Sequence, residues 1–457
     1  LFWLFALLFV ALIGQLTYLQ VWAAPTLKVN PANTRAVEDE MRIKRGIILS
    51  ADGEELAINR KEGQYFLRRY PQGALTSPWL GYNSLRYGRA GVERVYNEEL
   101  SGQSGLLGVV TLWDEITGQP RKGADLRLTV DLDLQRTAAK ALGERKGAVI
   151  VLDPRTGAVR AMVSYPRYDP NGLEDLWAEL NENPDAPLLN RATQGLYPPG
   201  SVFKIITAAA ALETGVVTPD SRFTDTGTEV FGGYEVHNYD DRVYGDHDFT
   251  RAFASSINTT FAKVGVETGA GVLADYATAF GFGKELPWRL GGAVGRFPRP
   301  GDLDEAGLAQ VSFGQADVLC SPLLVALATA AVANRGEVMK PFLVQQVIDH
   351  RGNIVQEAKP QVWLRPISAQ TAATLTELMV QVVRRGTGTA AALTGVQVAG
   401  KTGTAEVAAA SPHAWFAGFA PAQDPQVVVV VLVENAGSGG SVAAPVARQV
   451  LAAALGR

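Results

Sequence analysis

Ser201-Val-Phe-Lys204 sets a hydroxyl and an amine three residues apart. On a helix, positions i and i+3 share one face. The tetrapeptide follows Tyr197-Pro-Pro-Gly200, a stop-and-turn signal, and opens an apolar run, which predicts a helix over 201–214. Phe203, Ile205 and Ile206 would desolvate the lysine. Desolvation lowers a lysine pKa, and a neutral amine can take the proton of a serine hydroxyl. A helix N-terminus also favours negative charge developing beside it. This is the chemistry of an activated serine nucleophile. The plainer reading of Ser201 is a helix N-cap. No other S-x-x-K occurs in the chain.

Two further stretches carry suitable groups. Ser256-Ile-Asn258 lies in Phe253-Ala-Ser-Ser-Ile-Asn-Thr-Thr260, where such residues commonly mark a loop or cap. Lys401-Thr-Gly-Thr404 lies inside the strand-like run 398–407. Glycine weakens a strand interior and often marks the close approach of a ligand or another backbone. A lysine and two hydroxyls on a strand edge suit a substrate carboxylate; the bland alternative is a solvated edge lysine.

These groups must be positioned by 457 residues, enough for two to four structural units. Apolar residues make up 47% and charged residues 19%, so the chain can bury a core. A net charge of −4 does not suit a dedicated nucleic-acid binder. One cysteine allows no intramolecular disulfide, and four histidines lack metal-ligand spacing, so neither a metal nor a cofactor is expected. The first 27 residues carry no charge. As a helix, residues 1–24 would span about 36 Å, against roughly 30 Å of bilayer core. Tyr18 and Trp22 would sit at the interface. A membrane anchor is expected there rather than a signal peptide cleaved at Ala23-Ala24.

Residues 28–143 are polar and turn-rich. Arg45–Ser50, the Asp52-Gly53 turn and Glu55–Ile58 read as a hairpin, and Leu126–Val130 as a half-buried strand. Leu132–Leu142 has helical character. From Lys146 the texture changes. Gly147–Leu152, a turn at Asp153–Gly157 and Ala158–Val163 predict a hairpin covered on both faces. Long Ala/Leu/Val helices follow, including 321–334. Residues 396–407, 414–419 and 427–433 return to strand, the last central and buried, before a closing helix over 441–455. Strands at both ends with helices between predict an α+β fold, one antiparallel sheet covered by helices, its last strands returning to the first hairpin.

The order of the motifs is more informative than any one of them. S-x-x-K, S-x-N and K-T-G in this order resemble the serine signature of penicillin-binding proteins and class A β-lactamases. Tyr165–Asn171, Asn190-Arg-Ala192 and Gly400–Glu406 extend the likeness. Upstream, Asn33-Thr-Arg35, Arg45-Gly46, Tyr87–Glu93 and Leu128–Asp131 resemble the pedestal of class B penicillin-binding proteins. His413-Ala-Trp-Phe416 and Val433-Glu-Asn435 look like the short actinobacterial type. The resemblance implies a penicillin-binding transpeptidase fold with a β-rich N-terminal pedestal and one transmembrane helix. Residues 1–24 would be the anchor, 25–143 the pedestal or dimerisation-like domain, and 144–457 the transpeptidase domain.

By that resemblance, Ser201 is the acylated nucleophile and Lys204 its base. Ser256 relays protons and Asn258 holds the substrate amide. Lys401 and Thr402 tune the site, and Thr404, beside Gly403, binds the terminal carboxylate. The backbone N–H groups of Ser201 and Thr404 form the oxyanion hole. The implied activity is a D,D-transpeptidase that cross-links peptidoglycan stem peptides and is trapped by β-lactams. It would be single-pass in the bacterial plasma membrane with the catalytic domain outside, and its implied partner is a SEDS-type glycosyltransferase. Two alternatives stand. A scaffold would activate that glycosyltransferase without catalysis. A β-lactamase would need a deacylating glutamate, but Glu179 precedes Ser201, the wrong order, and Glu267, Glu285, Glu305 and Glu337 lack the expected context. Cys320 is expected to be a small buried residue, and His237 and His247 to lie in a solvated loop, with a substrate-lining loop the alternative.

Overall fold

The computed structural model describes residues 2–22, 41–103, 122–408 and 410–457. Ala23-Ala24, Lys28, Asn33-Thr-Arg35 and the boundary expected after residue 24 lie outside them. The chain begins with the helix Phe2–Thr17, prolonged by a π-helical turn at Tyr18–Trp22. No residue of Phe2–Thr17 is buried, and Phe2–Gln20 is long and apolar enough to cross a membrane.

Five antiparallel strands form the central sheet, in the order Ala399–Val407, Ala410–Ala420, Val427–Val433, Gly147–Leu152 and Val159–Tyr165. The last strand in sequence does return to the first hairpin, with Val433 opposite Gly147 and Val428 opposite Leu152. Every residue of Val427–Val433 is buried. Alternate side chains feed two cores, because successive strand residues face opposite sides. Val428, Val430 and Leu432 join the core that includes the helix Pro322–Ala333. Val429 and Val431 join Leu134, Leu142, Val446 and Val450, from the helices Leu132–Leu142 and Ala443–Ala454. Both faces are covered, which is why these strands read as continuous apolar runs.

A second sheet forms the pedestal. Its order is Ile354–Glu357, Val344–Ile348, Asp125–Leu128, Ile48–Leu49, Glu55–Glu62 and Tyr65–Arg69. The expected hairpin is present, pairing Ile48 with Ala57. Ile48 also pairs in parallel with Leu126, and Leu126 with Val347. Two strands of this sheet therefore come from far downstream, while Leu132–Leu142 packs on the central sheet. Gly46 is required where the chain crosses Ala124, since a Cβ there would lie 1.7 Å from that carbonyl oxygen.

A buried charge cluster ties the pedestal together. Glu93 is fully buried and accepts from Arg45 Nη2 at 3.0 Å and Arg68 Nε at 2.5 Å. Burial alone would raise its pKa; the two guanidiniums reverse this and hold it below the usual carboxylate value. Arg68 also donates to the Gly46 carbonyl at 2.8 Å, and Asn59 donates to the Arg45 carbonyl at 2.6 Å. One carboxylate thus joins the segment leading into Ile48–Leu49, the edge strand Tyr65–Arg69 and the short helix Gly91–Val95.

Candidate active site

The expected helix over 201–214 is in fact two pieces. A 3₁₀ turn covers Gly200–Phe203, and the α-helix runs from Lys204 to Glu213. Ser201 is not an N-cap: it lies inside the tighter turn, and no side chain caps it. Gly200 explains the difference. Its φ is +52°, and its N–H donates to the Gly314 carbonyl at 2.9 Å. A Cβ on Gly314 would lie 2.1 Å from the Gly200 oxygen. The preceding residues are pinned as well. Tyr197 exchanges two backbone hydrogen bonds with Cys320, at 3.0 and 2.9 Å, and Trp415 Nε1 donates to the Pro198 carbonyl at 3.1 Å. Ser201 is left half-buried and facing a cleft. Phe203 anchors the turn from below, 5.6 Å from the rings of both Phe282 and Phe297.

Lys204 is wholly buried. Its Nζ lies 2.7 Å from the Ser256 carbonyl oxygen, 2.8 Å from Asn258 Oδ1 and 3.3 Å from Ser256 Oγ. The first two groups can only accept. They use both hydrogens of a neutral amine and leave its lone pair for a hydroxyl. Burial pushes the Lys204 pKa far down, and nearby Lys401 adds to the shift. Ser256 ends the helix Phe249–Ser255 with φ +60°, a left-handed conformation rare for a non-glycine residue, and the next helix, Asn258–Thr268, begins two residues on. Asn258 is oriented by its Nδ2, which donates to the His237 carbonyl at 2.9 Å.

Lys401 is also fully buried, which corrects the reading of a solvated edge lysine. The Gly200–Phe203 turn and the helix Ala369–Arg385 pack against the strand on which it lies. Its Nζ donates to Ser256 Oγ at 2.8 Å and to the Thr402 carbonyl at 3.1 Å. Burial lowers its pKa to about 7. Thr402 is buried and shares a hydrogen bond with Thr387. Gly403 allows close approach: a Cβ there would meet Pro199 O at 3.0 Å and Val202 Cγ1 at 3.1 Å. The Gly200 backbone likewise abuts Thr404 and Ala405. The strand and the Ser201 turn are therefore packed backbone to backbone.

Ser201, Ser256, Asn258, Thr402 and Thr404 line one cleft of about 650 Å³. Residues 234–242 and Tyr244 line the same cleft, and His237 is exposed, as expected of a solvated loop. His247 is buried rather than solvated, bonded to Gly245 O at 2.7 Å and Thr260 Oγ1 at 2.9 Å. None of Glu179, Glu267, Glu285, Glu305 and Glu337 lines the cleft.

Two supporting networks were not legible beforehand. Buried Asp225 accepts from Thr259 Oγ1 at 2.7 Å, Tyr244 N at 2.7 Å, Gly227 N at 3.1 Å and Asn238 Nδ2 at 2.9 Å. Burial works against its charge, but these bonds hold its pKa below the usual value. Asn238 Oδ1 in turn accepts from the backbone of Asn258 at 2.9 Å. Behind the Ser201 turn, Glu434 Oε1 accepts from Arg191 Nε at 2.8 Å and Tyr197 OH at 2.7 Å. Burial, then Glu434, pushes the Tyr197 hydroxyl pKa up. Arg191 and Glu434 lie within stretches that carry the resemblance, but nothing in the sequence joins them. Cys320 is buried as expected, and burial raises its thiol pKa.

Residues 147–452 match the family described as penicillin binding protein transpeptidase domain, and 45–126 the penicillin binding protein A dimerisation domain. The chain is 38% identical to the peptidoglycan D,D-transpeptidase PbpA of Mycolicibacterium smegmatis, over 98% of this chain and 96% of that protein. It is similar in structure to penicillin-binding protein A from M. tuberculosis, solved as a ceftriaxone acyl-enzyme complex, with a TM-score of 0.87 and 37% identity over 91% of this chain and 99% of that one. The penicillin G acyl-enzyme complex of the same protein matches with a TM-score of 0.85, 37% identity, and coverage of 90% and 99%.

Proposed function

From the premise that the chain belongs to the penicillin-binding protein transpeptidase family, we propose that Ser201 is the nucleophile of a peptidoglycan D,D-transpeptidase and forms the covalent adduct with β-lactams. One observation carries this assignment. Ser201 faces the cleft one helical turn from Lys204, whose buried amine is desolvated and converges with that of Lys401 on Ser256 Oγ.

The chemistry follows in two halves. Neutral Lys204 takes the Ser201 proton as Oγ attacks the penultimate D-Ala carbonyl of a stem peptide. The oxyanion is met by the N–H groups of Ser201 and Thr404; such a donor is worth about 3–4 kcal/mol in a transition state. The C–N bond breaks, and D-Ala leaves as an amine protonated through Ser256 and the two lysines. An amine of a neighbouring strand then attacks the acyl-enzyme and surrenders its proton by the same route. This forms the cross-link and frees Ser201. Thr402 and Thr404 receive the donor's terminal carboxylate, and Asn258 its amide.

The N-terminal apolar helix supports a single-pass anchor with the catalytic domain outside the cell. The family resemblance implies docking to a SEDS-type glycosyltransferase through that helix and the pedestal. In this reading residues 25–143 serve as the pedestal, its sheet completed by Val344–Ile348 and Ile354–Glu357, and the rest of 144–457 as the catalytic domain.

Labelling with a fluorescent penicillin, followed by a denaturing gel, tests the proposal. A stable band is expected, absent in Ser201→Ala. An equal band in that variant would remove Ser201 from the role. Rapid loss of the label would favour a β-lactamase. Full cellular function of Ser201→Ala would favour the scaffold.

A further inference from the structure

Beyond the N-terminal helix, ten large apolar side chains are exposed among the described residues, and four of them fall within 230–243: Val230, Tyr234, Tyr239 and Val243. Tyr234 is 45% exposed and Tyr239 58%. Both line the cleft that contains Ser201. Neither phenol has a hydrogen-bond partner among the described residues. Aromatic rings left open at the mouth of a catalytic cleft suit a ligand with an apolar face.

The rings stand on a firm mount. Tyr234–His237 pairs antiparallel with Thr228–Phe231, and Phe231 and Val236 are buried beneath them. Asn238, between the two tyrosines in sequence, is buried and bonded to Asp225 and to the Asn258 backbone. Glu235, His237, Asp240 and Arg242 line the same wall and place donors and acceptors beside the rings. Aromatic faces edged by such groups match a pyranose ring, which presents C–H groups on its faces and hydroxyls around its edge.

We propose that Tyr234 and Tyr239 form a glycan-binding rim that receives the sugar strand carrying the stem peptide. This deepens the transpeptidase reading and rests on it. A cleft of about 650 Å³ has the size of a site for one small ligand. It takes the peptide end at Ser201, so the sugar must lie at its mouth. A peptide would instead seek backbone partners, which the rim rings do not offer.

The test compares full-length wild type, Tyr234→Ala/Tyr239→Ala and Tyr234→Phe/Tyr239→Phe on a sugar-free stem peptide and on the same peptide linked to a disaccharide. Penicillin acylation is measured in parallel. The wild type should show the lower KM for the sugar-linked substrate. The double alanine variant should lose about tenfold on that substrate alone. Its penicillin rate should fall less than its rate on the sugar-linked substrate, and the phenylalanine variant should retain most of the preference. Equal KM values in the wild type, or equal losses on both substrates, would overturn the rim; the second outcome would assign the tyrosines to the peptide. Failure of the wild type to label with penicillin would overturn the transpeptidase reading, and the rim with it.

Discussion

Lys401 Nζ lies 2.8 Å from Ser256 Oγ across 145 residues of sequence. Lys204 reaches the same oxygen at 3.3 Å. Two buried amines on one hydroxyl cannot both hold a charge without mutual repulsion, so the group titrates as a unit.

The first expectation concerns stability. Burial lowers the Lys401 pKa from 10.5 to about 7. Between these values the unfolded chain binds more protons than the folded one, so stability rises with pH across that window. Lys401→Met removes the penalty. It should unfold at higher urea than the wild type at pH 7, and the advantage should shrink as pH approaches 10.5. An advantage independent of pH would contradict the burial account.

Catalysis should follow the same titration. Lys204 acts only when neutral, and burial pushes its pKa well below the usual lysine value, so the penicillin acylation rate should climb with pH and level off well below pH 10.5. Lys204→Ala should acylate at least about 100-fold more slowly, as loss of a general base commonly costs. Stopped-flow acylation across pH 5 to 9 (buffer range ~4 units) checks both. A flat profile would sink the base assignment.

Gly439 should tolerate no side chain. A Cβ there would lie 2.2 Å from Trp415 O and 2.4 Å from Gly403 O, both backbone atoms that cannot rotate away. Gly439→Ala is expected to push the Lys401–Thr404 strand out of register with the Ser201 turn. Slower acylation should accompany a lower melting temperature, whereas Gly437→Ala meets no atom and costs only the strain of its left-handed backbone.

Asp225→Asn should damage the site from outside it. The amide would turn an N–H toward the donors of Gly227, Tyr244 or Thr259. A lost buried acceptor costs about 1–3 kcal/mol. Because the native carboxylate is held below its usual pKa, its contribution is present above the unfolded value and fades as pH falls through the folded one. Denaturant melts of wild type and variant should converge in acid, and the variant should label slowly at neutral pH.

Glu93→Gln leaves two buried guanidiniums facing a neutral amide. Breaking a buried ion pair from one side costs about 3–5 kcal/mol. Hydrogen exchange should accelerate first in the strands Glu55–Glu62 and Tyr65–Arg69. Unchanged exchange there would mean that apolar packing alone holds the pedestal.

Much of this was legible because period and order are local properties. Val427–Val433 and Leu132–Leu142 are where the apolar runs put them. The three motifs could be found because each needs only a few neighbouring residues. The contacts behind them were not legible. Asp225 and Thr259 are 34 positions apart, Arg191 and Glu434 243 apart, and a lone carboxylate carries no sign of its partner. Lys401 read as a possible edge residue because strand pattern says nothing about what covers an edge. His247 misled for the same reason. A polar, Asp-rich surrounding suggested water, while burial came from Thr260 and Phe223, on other elements.

The pedestal sheet also sets a timetable. Asp125–Leu128 pairs with Val344–Ile348, so one of its partners emerges from the ribosome more than 200 residues after the other. Until then the strand has an open edge, and open edges recruit other chains. At about 5–20 residues per second the wait lasts on the order of tens of seconds. Gly147–Leu152 waits longer still for Val427–Val433, so both sheets keep an open edge until late in synthesis.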